Sequence, residues 1–177
     1  MQSTESTKII ENSIKNKDFK NALSLCIEHS QSLNKKDFYY LTSVCYRYLK
    51  EPKKALVNLD KLIQINPTYG RAYQEIGHTN ILLKEKNKAL KAYLRAVRHN
   101  PSLQSSWLGI LALENKNEEL IKFVEQNVIY LKDLAPELKT VISFTHEGKL
   151  SRADRICREY LRDHPHDIEA MRLLANI

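Results

Sequence analysis

Apolar positions along this chain recur with the period of an α-helix, and they do so in paired segments. Tyr73, Ile76, Gly77 and Asn80 fall at i, i+3, i+4 and i+7, one stripe of one helix. Ala89, Tyr93 and Ala96 obey the same rule on the segment that follows, after a short polar turn. The same spacing predicts helices over 37–50 and 52–64. Small residues at Gly77 and Ala89 let two backbones approach, and Tyr73 and Tyr93 are placed to fill the wedges beside them.

The paired pattern is itself periodic. Asn66-Pro67 recurs as Asn100-Pro101, 34 residues later, and Ala55-Leu56 recurs as Ala89-Leu90 at the same interval. So do Tyr39, Tyr73 and Trp107, and Leu59 with Tyr93; Tyr46 and Ser43 correspond to Asn80 and Gly77. Proline cannot continue the helix before it, so Pro67 and Pro101 end one unit and help start the next. A 34-residue period with an aromatic, small residues, Ala-Leu and a terminal proline resembles the tetratricopeptide repeat. The resemblance implies an all-α fold, a right-handed superhelical solenoid of antiparallel helix pairs, and a role in holding other proteins.

Residues 36–69 and 70–103 carry the pattern most fully, and the flanking units deviate from it. Residues 3–35 hold Ile9, Ile10 and Ile14 followed by Ala22-Leu23 and Cys26, but no repeat aromatic and no proline, as suits a terminal repeat. Residues 104–133 begin well with Trp107, Ile110 and Leu111. Only 30 residues then separate that unit from its successor. Aligning 115–120 with 85–90 removes about one turn from the first helix. A short helix near 104–114 and a long one near 118–133 are expected. Residues 134–167 form a further unit, in which Ala153, Cys157, Tyr160 and Pro165 take the repeat positions. Gly148 is its expected turn and Ser151 its expected helix N-cap. Asp167 reads as the N-cap of a last helix carrying Ile168, Met171 and Leu174 over 168–177. That helix is either a cap or the start of another unit, and an unpaired one leaves an apolar stripe exposed. The stripe favours a chain cut from a longer protein.

Composition agrees with a helical reading. Of 177 residues, 42% are hydrophobic, and only 4 Gly and 5 Pro are available for turns. No run of 18 apolar residues offers a membrane span, and residues 1–11 lack a signal-peptide core. Cys26, Cys45 and Cys157 sit at unrelated spacings without a Cys-x-x-Cys pair, which argues against zinc and against a disulfide framework. They read as packing residues of a reducing compartment, and the cytoplasm is the expected location. The net charge of +7 is uneven. Residues 1–100 hold 18 Lys/Arg against 9 Asp/Glu, a net of +9, and residues 101–177 hold 10 against 12, a net of −2. An acidic partner is drawn to the first half.

No catalytic constellation emerges: G-x-S-x-G, H-E-x-x-H, the P-loop and G-x-G-x-x-G are all missing from the sequence. No enzyme activity, cofactor or metal is therefore expected of these residues. His164 and His166 flank Pro165 in a junction, and His146 ends a helix, where the dipole favours a cation. Arg152, Arg155, Arg158 and Arg162 lie on one ridge, but Asp154, Glu159 and Asp163 interleave with them. Lys84, Lys86, Lys88, Lys91, Arg95 and Arg98 have less compensation. They supply an alternative reading as a weak binder of acidic surfaces, without the aromatics that single-stranded nucleic acid needs.

The main candidate site follows from the repeat. First helices line the concave face of such a solenoid, so residues off the packing stripe point into its groove. These are Asp37, Tyr40, Val44 and Arg47 in one unit, and Arg71, Gln74, His78 and Ile81 in the next, with Glu75 alongside. Tyr and Arg anchor interfaces, and the mixed polarity suits an extended peptide or a partner helix. Some tetratricopeptide proteins grip a chaperone's terminal carboxylate with Lys, Asn and Arg. The corresponding places here hold Tyr40, Val44, Glu75, Ser105 and Gly109, which disfavours that ligand. Residues 134–177, with Ala135-Pro136-Glu137-Leu138, Glu147-Gly148-Lys149-Leu150 and His164-Pro165, are also similar to repeats that precede a sulfotransferase domain in some bacterial proteins. That likeness makes a C-terminal domain of the same polypeptide a further expected partner, and the chain a non-catalytic part of a larger enzyme.

Overall fold

A computed structural model describes residues 2–114 and 116–177, with side chains from residue 5 onward. Among them are eleven α-helices and no strand. The first six are α1 (Gln2–Lys15), α2 (Phe19–Glu28), α3 (Lys35–Tyr48), α4 (Pro52–Ile65), α5 (Gly70–Leu82) and α6 (Lys86–His99). The rest are α7 (Gln104–Leu113), α8 (Glu118–Asp133), α9 (Pro136–His146), α10 (Leu150–Asp163) and α11 (Ile168–Ala175). The all-α, paired-helix reading therefore holds. The expected asymmetry of the fourth unit is present too, since α7 has 10 residues and α8 has 16. Asn115, which anchored the alignment of that unit, lies outside the described residues.

Two compact units divide the chain, Met1–Ala92 and Tyr93–Ile177, and the division falls inside α6. In the first unit α1 packs on α2, α3 on α4 and α4 on α5, while α1 lies beside α3 and α3 beside α5. Ile10, Ala22, Cys26, Leu33, Leu41 and Cys45 form one core cluster, with Ile14, Leu23 and Tyr40 against it. Leu59, Leu62, Tyr69 and Ala72 form another. Ile10 occupies the inward position of α1, and Ile9 beside it is on the surface. The three free cysteines are all buried, as small packing residues. In the second unit Trp107, Ile110, Val124, Leu131, Leu138, Val141, Ala153 and Cys157 are buried. Here α7 pairs with α8, α9 with α10, and α11 rests on both α9 and α10.

The turn between the two helices of a pair has one geometry wherever it is fully described. Lys17, Lys50 and Lys84 have φ near +60°, and Gly148 has φ +71°. The next residue's N–H reaches back to a carbonyl five positions earlier: Asp18 to Ser13 at 3.0 Å, Glu51 to Tyr46 at 2.9 Å, Glu85 to Asn80 at 2.9 Å and Lys149 to Phe144 at 2.8 Å. This is the Schellman termination, whose left-handed residue is usually glycine. Only Gly148 meets that preference. Lys149 is the N-cap of α10, so Ser151 falls inside the helix and is not its cap.

The junction between pairs explains the 34-residue signature. Tyr73 donates its hydroxyl to the Pro67 carbonyl at 3.0 Å, and Trp107 donates Nε1–H to the Pro101 carbonyl at 2.8 Å. Each aromatic thus pins the loop left by the proline six residues before it. Asn100 Oδ1 accepts from the Ser102 N–H at 3.1 Å and from its hydroxyl at 2.7 Å, closing the second junction. At the chain's end Asp167 accepts from the Ala170 N–H at 2.8 Å and caps α11 as expected. Ala170 and Leu173 of α11 are buried, while Ile168 is 80% exposed and Met171 44%.

Candidate groove on the first helices of unit one

Helices α3 and α5 present the candidate residues, and the structure sorts them into a floor and a face. Arg47 leans across from α3 to Glu75 on α5, with Nε to Oε2 at 2.6 Å and Nη2 to Oε1 at 3.4 Å. Both side chains are largely removed from water, at 15% and 6% exposure. The Arg47 guanidinium also lies 4.1 Å from the Tyr48 ring centroid. Val44 is buried beside this pair in sequence, at 7% exposure. Arg47 and Glu75 therefore brace two helices, and Val44 is packed away from the groove. Arg47 presents a neutralised, partly covered cation, and Glu75 offers no open carboxylate.

The remaining candidates lie nearer to solvent. Asp37 closes a capping arrangement at the start of α3: its N–H donates to Asn34 Oδ1 at 2.8 Å, and its carboxylate accepts from Asn34 Nδ2 at 2.6 Å. Tyr40 is half-buried, touches both core clusters and meets Tyr69 edge-on at 5.6 Å. Lys36 sits 4.1 Å over the same Tyr69 ring. Arg71, Gln74 and His78 follow one another along α5, all half-buried. Burial holds the His78 imidazole below its ordinary value, with Glu75 opposing and Arg47 reinforcing that effect.

Two apolar residues on these helices went unnoticed in the sequence. Tyr48 is 47% exposed and Leu82 is 39% exposed, next to Ile81 at 40%. Their separation of 34 residues is the repeat interval, and that spacing was the available signal. Tyr48 is stacked on Phe19 at 4.1 Å and 5°, which fixes its ring. The ends of α3 and α5 thus carry exposed apolar groups, Tyr48 on one helix and Ile81 and Leu82 on the other. Among the described residues no group of three or more His, Cys, Asp or Glu is placed to hold a metal, and no helix is long and apolar enough to cross a membrane. His146 departs from expectation, because burial lowers its pKa despite its hydrogen bond to the His99 backbone.

A fold of paired antiparallel helices at a 34-residue interval defines a helical-repeat protein. Residues 70–103 match the tetratricopeptide repeat family model. The chain is 31% identical over 131 residues to a TPR repeat-containing protein of Methanocaldococcus jannaschii, covering 70% of this chain and 23% of that protein. It is 32% identical over 72 residues to Hsp70-Hsp90 organizing protein 1 of Glycine max, covering 41% of this chain and 13% of that one. The crystal structure of MamA protein superposes with a TM-score of 0.58 at 16% identity, over 94% of this chain and 96% of the other, and so shares the fold. The tetratricopeptide repeat is thus placed at residues 70–103. The chain spans between about an eighth and a quarter of the length of these curated relatives. The matches bear on the tetratricopeptide likeness and leave the sulfotransferase likeness without support.

Proposed function

We propose that this chain is a non-catalytic protein-binding module that takes a peptide segment along the α3–α5 face. The observation that supports this reading is the division of labour on that face. The Arg47–Glu75 pair fixes the spacing of the two helices, and Tyr40, Arg71, Gln74, His78 and Ile81 stand along it. A braced face binds with little ordering cost, since the helices need not rearrange. Tyr and Arg supply anchoring contacts, and the exposed Ile81 and Leu82 at the end of α5 supply area to bury. The place of a carboxylate-gripping residue is held by buried Val44 and by Glu75, so a terminal carboxylate is not the favoured ligand. The buried, free cysteines favour a reducing location such as the cytoplasm.

The test is a set of peptides selected on the full chain from a random display library. Arg71→Ala combined with Ile81→Ser should weaken the selected peptides roughly tenfold or more, as truncating anchoring residues does. Val57→Ser, on the exposed surface of α4, should leave them unchanged. Equal binding by the groove variant, or an equal loss in Val57→Ser, would remove this face as the site.

A further inference from the structure

The positive charge of the first hundred residues is concentrated at the turns within the helix pairs. The α1–α2 turn carries Lys15, Lys17 and Lys20 with Asp18. The α3–α4 turn carries Lys50, Lys53 and Lys54 with Glu51. The α5–α6 turn carries Lys84, Lys86 and Lys88 with Glu85. Each turn is net +2, so the three hold two-thirds of the +9 of residues 1–100. All nine lysines are exposed. Two of the carboxylates are engaged within their own turn, Glu51 by Lys54 and Glu85 by Lys88 at 3.4 Å. Asp18 accepts from the Asn21 N–H at 3.2 Å as a helix cap.

The fold brings these turns to one edge of the first unit. α1 lies beside α3 and α3 beside α5, with an antiparallel partner helix intervening in sequence each time. The three first helices therefore run in the same direction and end on the same side. Packed helices lie about 8–10 Å apart, so three turns span roughly 20 Å. The roughly 8–10 Å between neighbouring turns is close to the Debye length of about 8 Å at physiological salt, so adjacent clusters reinforce one another. In each turn the residue with φ above +60° is a lysine, where glycine would be the less strained choice. In the α7–α8 connection the sign reverses, with Lys116 among Glu114, Glu118 and Glu119.

We propose that this lysine edge docks the protein on an anionic lipid surface. Three observations favour that occupant. First, the edge is built from lysine alone, because Arg47, Arg71, Arg95 and Arg98 all fall outside the three turns. Lysine is a hydrated point charge suited to diffuse attraction, whereas arginine's planar fork is the usual choice for nucleic-acid phosphates. Second, the rings beside the turns already carry partners on their faces: Phe19 stacks on Tyr48, the Arg47 guanidinium lies 4.1 Å from the Tyr48 ring, and Lys54 lies 5.5 Å over Tyr46, a poor platform for bases. Third, charges at turn tips along one edge can meet a flat surface together, each lysine contributing about 1 kcal/mol near an anionic membrane.

Co-sedimentation of the full chain with vesicles tests this. Binding is expected to vesicles of equal phosphatidylcholine and phosphatidylserine, but not to phosphatidylcholine alone, and is expected to be lost at high salt. The variant Lys15→Gln, Lys20→Gln, Lys53→Gln, Lys86→Gln avoids the strained positions, and an unchanged melting temperature verifies its fold. Its affinity should fall roughly fivefold per lysine, several hundredfold in all. No sedimentation with the phosphatidylserine vesicles at low salt would overturn the proposal, as would equal binding to phosphatidylcholine or by the quadruple variant. Tighter retention on duplex DNA or on poly-glutamate than on these vesicles would likewise overturn it, assigning the edge to another polyanion.

Discussion

Lys50 and Lys84 occupy a backbone region that side chains disfavour, and that gives a quantitative test of the turn geometry. Their φ values are +63° and +61°. Holding an L-residue there costs roughly 1–2 kcal/mol, and glycine avoids that strain. Glycine in turn loses more chain entropy on folding, about 0.5–1 kcal/mol relative to alanine. The difference leaves about 1 kcal/mol of stabilisation per site for Lys50→Gly and Lys84→Gly. For a chain of this size 1 kcal/mol moves the melting temperature by about 2–4 °C, so the double variant should melt about 4–8 °C higher. Circular dichroism melts of the wild type and the double variant measure this. Lys50→Gln with Lys84→Gln is the control, since it removes the same charge and retains the strain. If the glutamine pair raised the melting temperature as much as the glycine pair, relief of charge repulsion would be the cause. If the glycine pair lowered it, the strain argument would fail.

Two further outcomes follow from other parts of the molecule. A methyl group added at Gly109 would lie 2.6–2.9 Å from the ring of Tyr93, which is buried at 3% exposure. Gly109→Ala should therefore destabilise the second unit by about 1–3 kcal/mol through overpacking, measured by urea denaturation, and Tyr93→Leu should relieve part of that loss. Acid should weaken the fold through its histidines. Burial lowers His78, His99 and His146 below 6.5, with Arg98 and Arg95 adding to the effect at His99. As pH falls through 6.5 the unfolded chain takes up protons before the folded one. The stability these groups confer is complete above that pH and is lost as pH drops toward their folded values. Melting temperature should fall between pH 7 and pH 5, and His78→Gln should flatten that dependence. A flat profile in the wild type would contradict it.

The helices, their pairing and the place where the repeat is shortened are legible in the residues alone. Those features rest on local rules: a 3.6-residue apolar period, a proline that stops a helix, and a small residue that lets two helices meet. A change of one turn in α7 is visible because it keeps the inward face of Trp107 and Ile110 while shortening the unit. Which groove residues are available depends on long-range packing. Arg47 and Glu75 are 28 residues apart and belong to different repeats, so no local rule joins them, yet their contact removes both from the accessible set. The turns, too, are set by packing. Local preference asks for glycine after a terminating helix, and only Gly148 supplies it. At Lys17, Lys50 and Lys84 the helices on either side fix where the chain must reverse, and the packing of the pair holds a strained backbone that the residue type alone would not choose.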